Sequence, residues 1–371
     1  MTLTTTGSRV ATLTTAGEFA ELRPQWESLY ERSPSATPFL SHDWLASYWR
    51  AFGDAHSLRV VCVRDEAGRL TGAAALRLHR RRGVRTLMPV GADITDFSDV
   101  LLDGAAPDAG GQLAAALLDL PGWDALDLPE VPPGAQAWHL LTNWPGHSFV
   151  RPASVCLELP VGPTETLLAA LPPKQRRQIR RNDRLDLRHV VVPDDPERLS
   201  QAVGELLDLH CREWAGRGGN ALHLTEAFRR HLIGVVRSLA PQGRAAVTRH
   251  LLDGALVAVS LTLHTPGLVA GYLCGTEPSL RRQVDISALL IEAGLALGRD
   301  RGAARLSLLR GEESGKLRWQ PQARRSQRLL LLRPEVGRGH GAAALGLLGQ
   351  ASRARLGRSA AVCRLVGWLS R

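Results

Sequence analysis

The sequence predicts a mixed α/β protein built as two domains in tandem, each a mostly antiparallel mixed sheet flanked by helices. Three observations lead there. Strand-like and helix-like segments alternate along the whole chain, the pattern of an α/β architecture. Each half carries one hairpin whose turn ends in glycine, Glu66-Ala67-Gly68 and Asp253-Gly254, the second a strong hairpin dipeptide. From residue 269 to residue 316 the chain reads strand, basic loop, amphipathic helix, strand and charged turn. With 371 residues, the length fits about two domains.

Taken in order, the first half opens with a strand and the helix FAELRPQWESLYERS, closed by Pro34 and Pro38. The helix SHDWLASYWRAF follows with Ser41 as its N-cap. Residues 60–64 and 72–78 form the hairpin, and 87–90, 100–102, 125–128 and 155–159 read as short strands. Residues 112–118 and 135–141 read as helices. In the second half, helices at 198–216 and 226–239 precede strands at 245–252, 256–265 and 269–273. Ile286, Leu289, Leu290, Ala293 and Leu297 then recur at helical spacing, with Asp285 placed to cap the start and Gly302 to stop the end. The expected domains are 1–160, a basic connecting helix at 161–190, a second domain at 191–333 and a basic, helical tail at 334–371.

Charge is localised. Residues 174–188 hold one Lys and six Arg against Asp183 and Asp186, a net +5, and residues 333–371 hold seven Arg against Glu335, a net +6. The whole chain carries +10, so the rest is close to neutral. Confined positive charge suits a phosphorylated substrate, tRNA or an anionic membrane face, and equally a solvated helix face. The apolar runs around 257–263 and 329–332 fall far short of the roughly 20 residues of a membrane span. Stable membrane insertion is therefore not expected. The opening MTLTTTGSRVATLTT lacks the basic start and apolar centre of a secretory signal, and the five cysteines show no paired spacing. A cytoplasmic protein with reduced thiols is expected.

The strand–loop–helix–strand segment resembles the layout in which acyltransferases of the GNAT superfamily hold the phosphates of coenzyme A. Its ending, Arg310-Gly311-x-Glu313-x-x-Lys316 followed by Leu317, Arg318 and Trp319, resembles the CelD/BcsL-like acyltransferases, relatives of the Fem peptidyltransferases. The first half adds F-L-S-x-x-W-L-x-x-Y-W at residues 39–49 and GADITDFSDVLL at residues 91–102. The resemblance implies two GNAT-like domains, an acyl-CoA donor such as acetyl-CoA, and an amine of a sugar or small metabolite as acceptor, in a setting such as polysaccharide or envelope biosynthesis. It leaves two alternatives open: a Fem-like transferase drawing on aminoacyl-tRNA, with the basic connecting helix as RNA contact, and a degenerate, non-catalytic relative.

The resemblance also implies roles. Cofactor phosphates in GNAT folds sit on free amides at a helix N-terminus, where the dipole favours anions. The motif there is a Pro, an Arg three residues on, then two glycines. Pro278 and Arg281 match, whereas Val284 and Ile286 stand where glycine would let the backbone approach a pyrophosphate. Arg281 and Arg282, with Ser287 from the first helical turn, are the expected cofactor-binding residues. Tyr272 would lie near the acyl carbonyl as proton donor to the leaving thiolate, or simply pack on the sheet. Glu313 and Lys316 are the other catalytic candidates, Lys316 for an oxyanion or a donor phosphate. Ser307 and Gly315 replace an acid and an aromatic of the family pattern. Asp96, Trp44 and Arg310 are the expected substrate contacts. Asp93, Asp96 and Asp99 are spaced by three in a loop rather than on one helical face, so no metal is expected. No H-E-x-x-H, G-x-S-x-G or dinucleotide motif is present.

Overall fold

The structure, a computed structural model, describes residues 9–81, 83–214, 220–280 and 282–336. The basic tail beyond 336, the Gly337-x-Gly339-x-Gly341 cluster, the expected end of the helix at Gly216 and Arg281 therefore lie outside the described residues. In chain order the elements are β1 (Arg9–Leu13), α1 (Ala16–Glu21), α2 (Arg23–Arg32), α3 (His42–Phe52), β2 (Leu58–Arg64), β3 (Leu70–Arg81), β4 (Val84–Pro89), β5 (Leu101–Leu102), α4 (Ala109–Asp119), β6 (Ala125–Val131), α5 (Ala137–Thr142) and β7 (Ser148–Pro160). There follow α6 (Thr164–Ala169), α7 (Pro173–Ile179), β8 (Leu187–Val191), α8 (Pro196–Trp214), α9 (Glu226–Leu239), β9 (Ala245–Leu252), β10 (Ala255–Thr265), β11 (Leu268–Thr276), α10 (Ile286–Asp300), β12 (Arg305–Arg310), α11 (Ser314–Leu317) and β13 (Gln322–Leu332). The fold is mixed α/β, as the alternation of periods predicts.

Two compact units divide the chain: 9–154 with 325–336, and 155–324. In the first, strands run in the order β1-β2-β3-β4-β6-β13, with β5 on β3; β4 and β6 are parallel and the rest antiparallel. Its core gathers Leu113, Leu117, Trp123, Leu126, Leu128, Leu140 and Leu329. The apolar run at 329–332 thus pays its burial into the first unit, pairing with residues 125–128 of β6.

The second unit orders its strands β7-β12-β11-β10-β9-β8, and only β11 and β12 pair in parallel. The turn of its hairpin has both Asp253 (φ 49°) and Gly254 (φ 81°) in the left-handed region, the geometry that Asp-Gly favours. Leu199, Val203, Leu206, Leu207 and His210 share the buried stripe of α8. Gly275 faces α8 and pairs in register with Val259, while Ala258, next to Val259 on β10, clusters with Leu289 of α10. Successive residues alternate faces, so α8 and α10 cover opposite sides of this sheet. Among the described residues no helix is long and apolar enough to cross a membrane.

The basic segment differs from its expected single helix. Helix α7 ends at Ile179, and a 3-10 turn spans Arg180–Arg184. The cause is Asn182, whose buried amide exchanges two hydrogen bonds of 2.9 Å with the backbone of Asp285. An Asn that bonds backbone elsewhere competes with helix continuation.

Candidate active site

The second unit contains a gap between its two parallel strands. β11 and β12 pair only at Leu268↔Arg305, Val269↔Leu306 and Ala270↔Ser307, and the register goes no further. Directly after this point Tyr272 is inserted as the extra residue of a bulge, because Leu261 faces Leu273 while Thr262 faces Gly271. A bulge increases local twist and bends its strand, which helps carry β11 away from β12. The backbone freed in this way still needs partners. The Cys274 carbonyl accepts from His210 Nδ1 at 2.8 Å, and Thr276 donates its N–H (3.2 Å) and its hydroxyl (2.8 Å) to the Glu213 carboxylate. Both partners come from α8, which approaches β11 closely because Gly275 has no side chain.

On the other side of the gap, β12 ends in unusual backbone. Buried Ser307 accepts from Leu309 N–H with its hydroxyl at 3.2 Å, and Leu309 is left-handed at φ 53°. A leucine held there stores strain. The turn beyond is closed by Lys316, whose ammonium donates to the Arg310 carbonyl at 2.9 Å and pairs with Glu313 at 3.0 Å. Lys316 is about three-quarters covered, with 24% of its side chain exposed. Burial pushes the Cys274 thiol up to about 11, with Lys316 pulling it down and Glu313 pushing it up. Tyr272 and Cys274 thus follow the point where β11 leaves β12, Arg310, Glu313 and Lys316 lie at and beyond the end of β12, and Tyr272 is half-buried. His210 and His223 lie on the same side as α8; His223 Nδ1 is 3.4 Å from His210 Nε2. No local pattern in the chain marks these two histidines, since they meet only when α8, the turn Ala221–Leu224 and β11 pack together.

The start of α10 is capped by Asp285, whose carboxylate accepts from Ala288 N–H at 3.1 Å and pairs with Arg318 at 2.7 Å. A carboxylate therefore already holds an amide of this N-terminus and satisfies its dipole. Nearby, Glu292 is pushed up to about 7, by burial first and then by Asp183, Asp285 and Glu165, against Arg180. Of the residues expected to bind the cofactor, Arg282 is exposed, with its carbonyl taken by Arg181, and Ser287 is half-buried in the first turn of α10. Gly315, where the family pattern has an aromatic, lies against that serine: a Cβ there would sit 2.0 Å from Ser287 Oγ. Ser287 thus occupies the space that a side chain at 315 would need.

The remaining candidates belong to the first unit. Trp44 is fully buried, edge-on to Phe39 at 5.0 Å. The three aspartates of the loop have separate surroundings. Asp93 pairs with Arg77 at 2.5 Å and accepts from the Tyr48 hydroxyl at 3.2 Å. Asp99 accepts from Val100, Gln136 and Ala137 N–H and from Ser35, and burial pushes it up to about 6. Asp96 is half-buried. Among the described residues no group of three or more His, Cys, Asp or Glu is arranged to hold a metal.

Comparison with known proteins fits this geometry. Residues 173–319, the stretch containing the gap, match the model of the acetyltransferase (GNAT) domain. The chain has the GNAT fold. Similar solved structures include FemX (TM-score 0.59, 10% identity, covering 87% of this chain and 97% of that one). A conserved protein of unknown function from Bacteroides thetaiotaomicron gives 0.58 at 12% identity, over 87% and 100% of the two chains. L-PGS from Bacillus licheniformis gives 0.52 at 13%, over 84% and 92%. No curated protein matches the chain in sequence. At such identities the likeness speaks for the GNAT fold alone.

Proposed function

We propose that this protein transfers an acyl group to an amine, with the reaction at the gap between β11 and β12 of its GNAT domain. The observation that carries the reading is the parallel pair that opens after Ala270 and Ser307, inside the stretch matching the acetyltransferase model. A linear acyl donor can enter between the strands there and meet Tyr272 and the Arg310–Lys316 turn. In this reading the Tyr272 phenol donates a proton to the leaving group, Lys316 stabilises charge developing on the carbonyl oxygen, and Glu313 holds the ammonium in place. The donor of the first choice is an acyl-CoA such as acetyl-CoA, and the acceptor an amine on a sugar or small metabolite. The setting would be polysaccharide or envelope biosynthesis, in keeping with the resemblance to CelD/BcsL-like acyltransferases. The two-domain plan, with GNAT-like halves, belongs to the same proposal, as do Asp96, Trp44 and Arg310 as acceptor contacts.

One observation favours a second donor, aminoacyl-tRNA. Lys174, Arg177, Arg180, Arg181 and Arg184 are exposed on α7 and the turn after it, a basic surface suited to a phosphate backbone. Asp285 and Glu292, at the same time, make the start of α10 a poor place for a pyrophosphate. The deciding experiment offers acetyl-CoA, longer acyl-CoAs and an aminoacyl-tRNA in turn, with glucosamine and other primary amines, and detects the new amide. Amide formed from an acyl-CoA supports the first donor; amide formed only from the tRNA supports the second. No amide from any donor overturns the transferase reading and leaves the non-catalytic one.

A further inference from the structure

The two histidines on the α8 side of the gap have tautomers fixed by their neighbours. A carbonyl can only accept, so the 2.8 Å contact with Cys274 places the His210 proton on Nδ1 and leaves Nε2 as a lone pair. Two lone pairs cannot bond, so His223 Nδ1, 3.4 Å away, carries the next proton. The free lone pair of the chain is then His223 Nε2. Its partner is the Asn220 amide at 3.5 Å, at the limit of a hydrogen bond, which an incoming group displaces at little cost. The ring itself is held: it stacks on Phe228 with centroids 4.4 Å apart and planes 19° from parallel. Arg310, at the end of β12, adds its charge to the surroundings of the same ring.

We infer that His223 is the base that takes the proton from the acceptor amine, and that His210 is the positioning residue that fixes its tautomer; this rests on the transferase reading above. The amine nitrogen attacks the acyl carbon and forms the new C–N bond. Its proton passes to His223 Nε2, the bond from the acyl carbon to the donor's sulfur or oxygen breaks as the Tyr272 phenol protonates that leaving atom, and the imidazolium's proton returns to the phenolate through solvent. A base must be unprotonated at the working pH. Burial, then His210, then Arg310 hold His223 down at about 4, and burial lowers His210 as well, so both rings are neutral at pH 7. The same surroundings make the imidazolium short-lived, which favours the return of the proton. The arrangement is that of a base oriented by a third group, with a backbone carbonyl as the final anchor.

The test uses the full chain with acetyl-CoA and an alanyl-tRNA as donors, and glucosamine and hydroxylamine as acceptors. Hydroxylamine is already neutral at pH 7 and needs less help from a base. His223→Gln should lower kcat towards glucosamine by about a hundredfold or more, leave donor KM within about twofold, and largely spare hydroxylamine. His210→Asn keeps a donor to the Cys274 carbonyl, but its shorter amide puts no acceptor where His210 Nε2 meets His223. It should cost about tenfold and shift the acid limb of the pH profile. A wild type that transfers while His223→Gln transfers equally to both acceptors, with an unchanged pH profile, overturns the inference and leaves the transferase reading standing. A wild type that transfers from neither donor overturns that reading itself. Nitrogen-15 NMR of the wild type decides independently of activity and of any variant's folding. Both rings should be neutral and protonated on Nδ1 at pH 7, and His223 protonated on Nε2 would overturn the inference.

Discussion

Replacing Gly275 by Ala tests the link between the packing of α8 and the gap. A Cβ at 275 would lie 2.2 Å from the Leu206 carbonyl oxygen, 2.5 Å from His210 N and 2.7 Å from Leu209 Cβ. Two of these are helix backbone atoms, which cannot rotate aside. Ordinary contact distances require α8 to withdraw by about 1 Å. Overpacking of this kind costs about 1–3 kcal/mol. The same withdrawal stretches the 2.8 Å bonds from His210 to Cys274 and from Thr276 to Glu213 beyond hydrogen-bonding range. Each buried group left without a partner adds about 1–3 kcal/mol, so the total is on the order of 3 kcal/mol or more. In a unit of this size a loss of about 3 kcal/mol corresponds to a fall in Tm of roughly 6–12 °C. Urea and thermal unfolding give the number, and amide formation from acetyl-CoA reports the site. Gly271→Ala on the same strand is the control, since its Cβ would meet nothing nearer than Ser307 O at 3.9 Å. If Gly275→Ala unfolds within about 0.5 kcal/mol of wild type, α8 is not held against β11 as described, and His210 is not fixed by that contact.

Three further outcomes are expected. Lys316→Ala removes the donor to the Arg310 carbonyl; it should cost about 0.5–1.5 kcal/mol in urea unfolding and lower turnover by about a hundredfold, and undiminished turnover would make Lys316 a turn residue only. Arg328 grips Asp127 through two bonds of 2.6 and 2.5 Å, with the aspartate side chain fully buried. Asp127→Ala should therefore cost about 3–5 kcal/mol, more than Asp127→Leu combined with Arg328→Met; a cheaper single variant would refute the pairing. Burial holds His250 down at about 3, and His223 and His264 at about 4, so these rings bind fewer protons folded than unfolded. Their stabilising contribution is complete above pH 6.5 and is lost as pH falls towards 4. Glu292, raised to about 7, works in the opposite direction but is one group against three. The second unit should lose stability in acid from pH 6.5 downwards, and a melting temperature that rises over that range would contradict it.

Local rules made much of the second unit legible. The spacing of Ile286, Leu289 and Leu297 specifies a helix, and Asp285 caps it as its side-chain chemistry dictates. Ser41 caps α3 in the same way, and Asp253-Gly254 adopts the turn its two residues favour. Strand β9 and helix α9 have the bounds that period alone assigns, because amphipathic elements advertise the face they bury. The first part of β7 shows no such alternation: it is mostly exposed and contains Pro152.

What remained was decided by contacts between segments far apart in the chain. The sequence by itself determined elements such as α3, α9, α10, β9 and β10, the caps at Ser41 and Asp285, the Asp253-Gly254 turn, the basic composition of 174–184, and, through the resemblance of 269–319, the GNAT fold. Only the tertiary structure joined 329–332 to β6, broke the basic helix at Asn182 to meet Asp285, and set Ser287 where a side chain at 315 would go. It also opened β11 from β12 and brought His210 and His223 to the backbone so exposed. Periodicity records which face of an element is buried, not which element covers it. A backbone carbonyl such as that of Cys274 leaves no trace in the sequence at all, since every residue carries the same one.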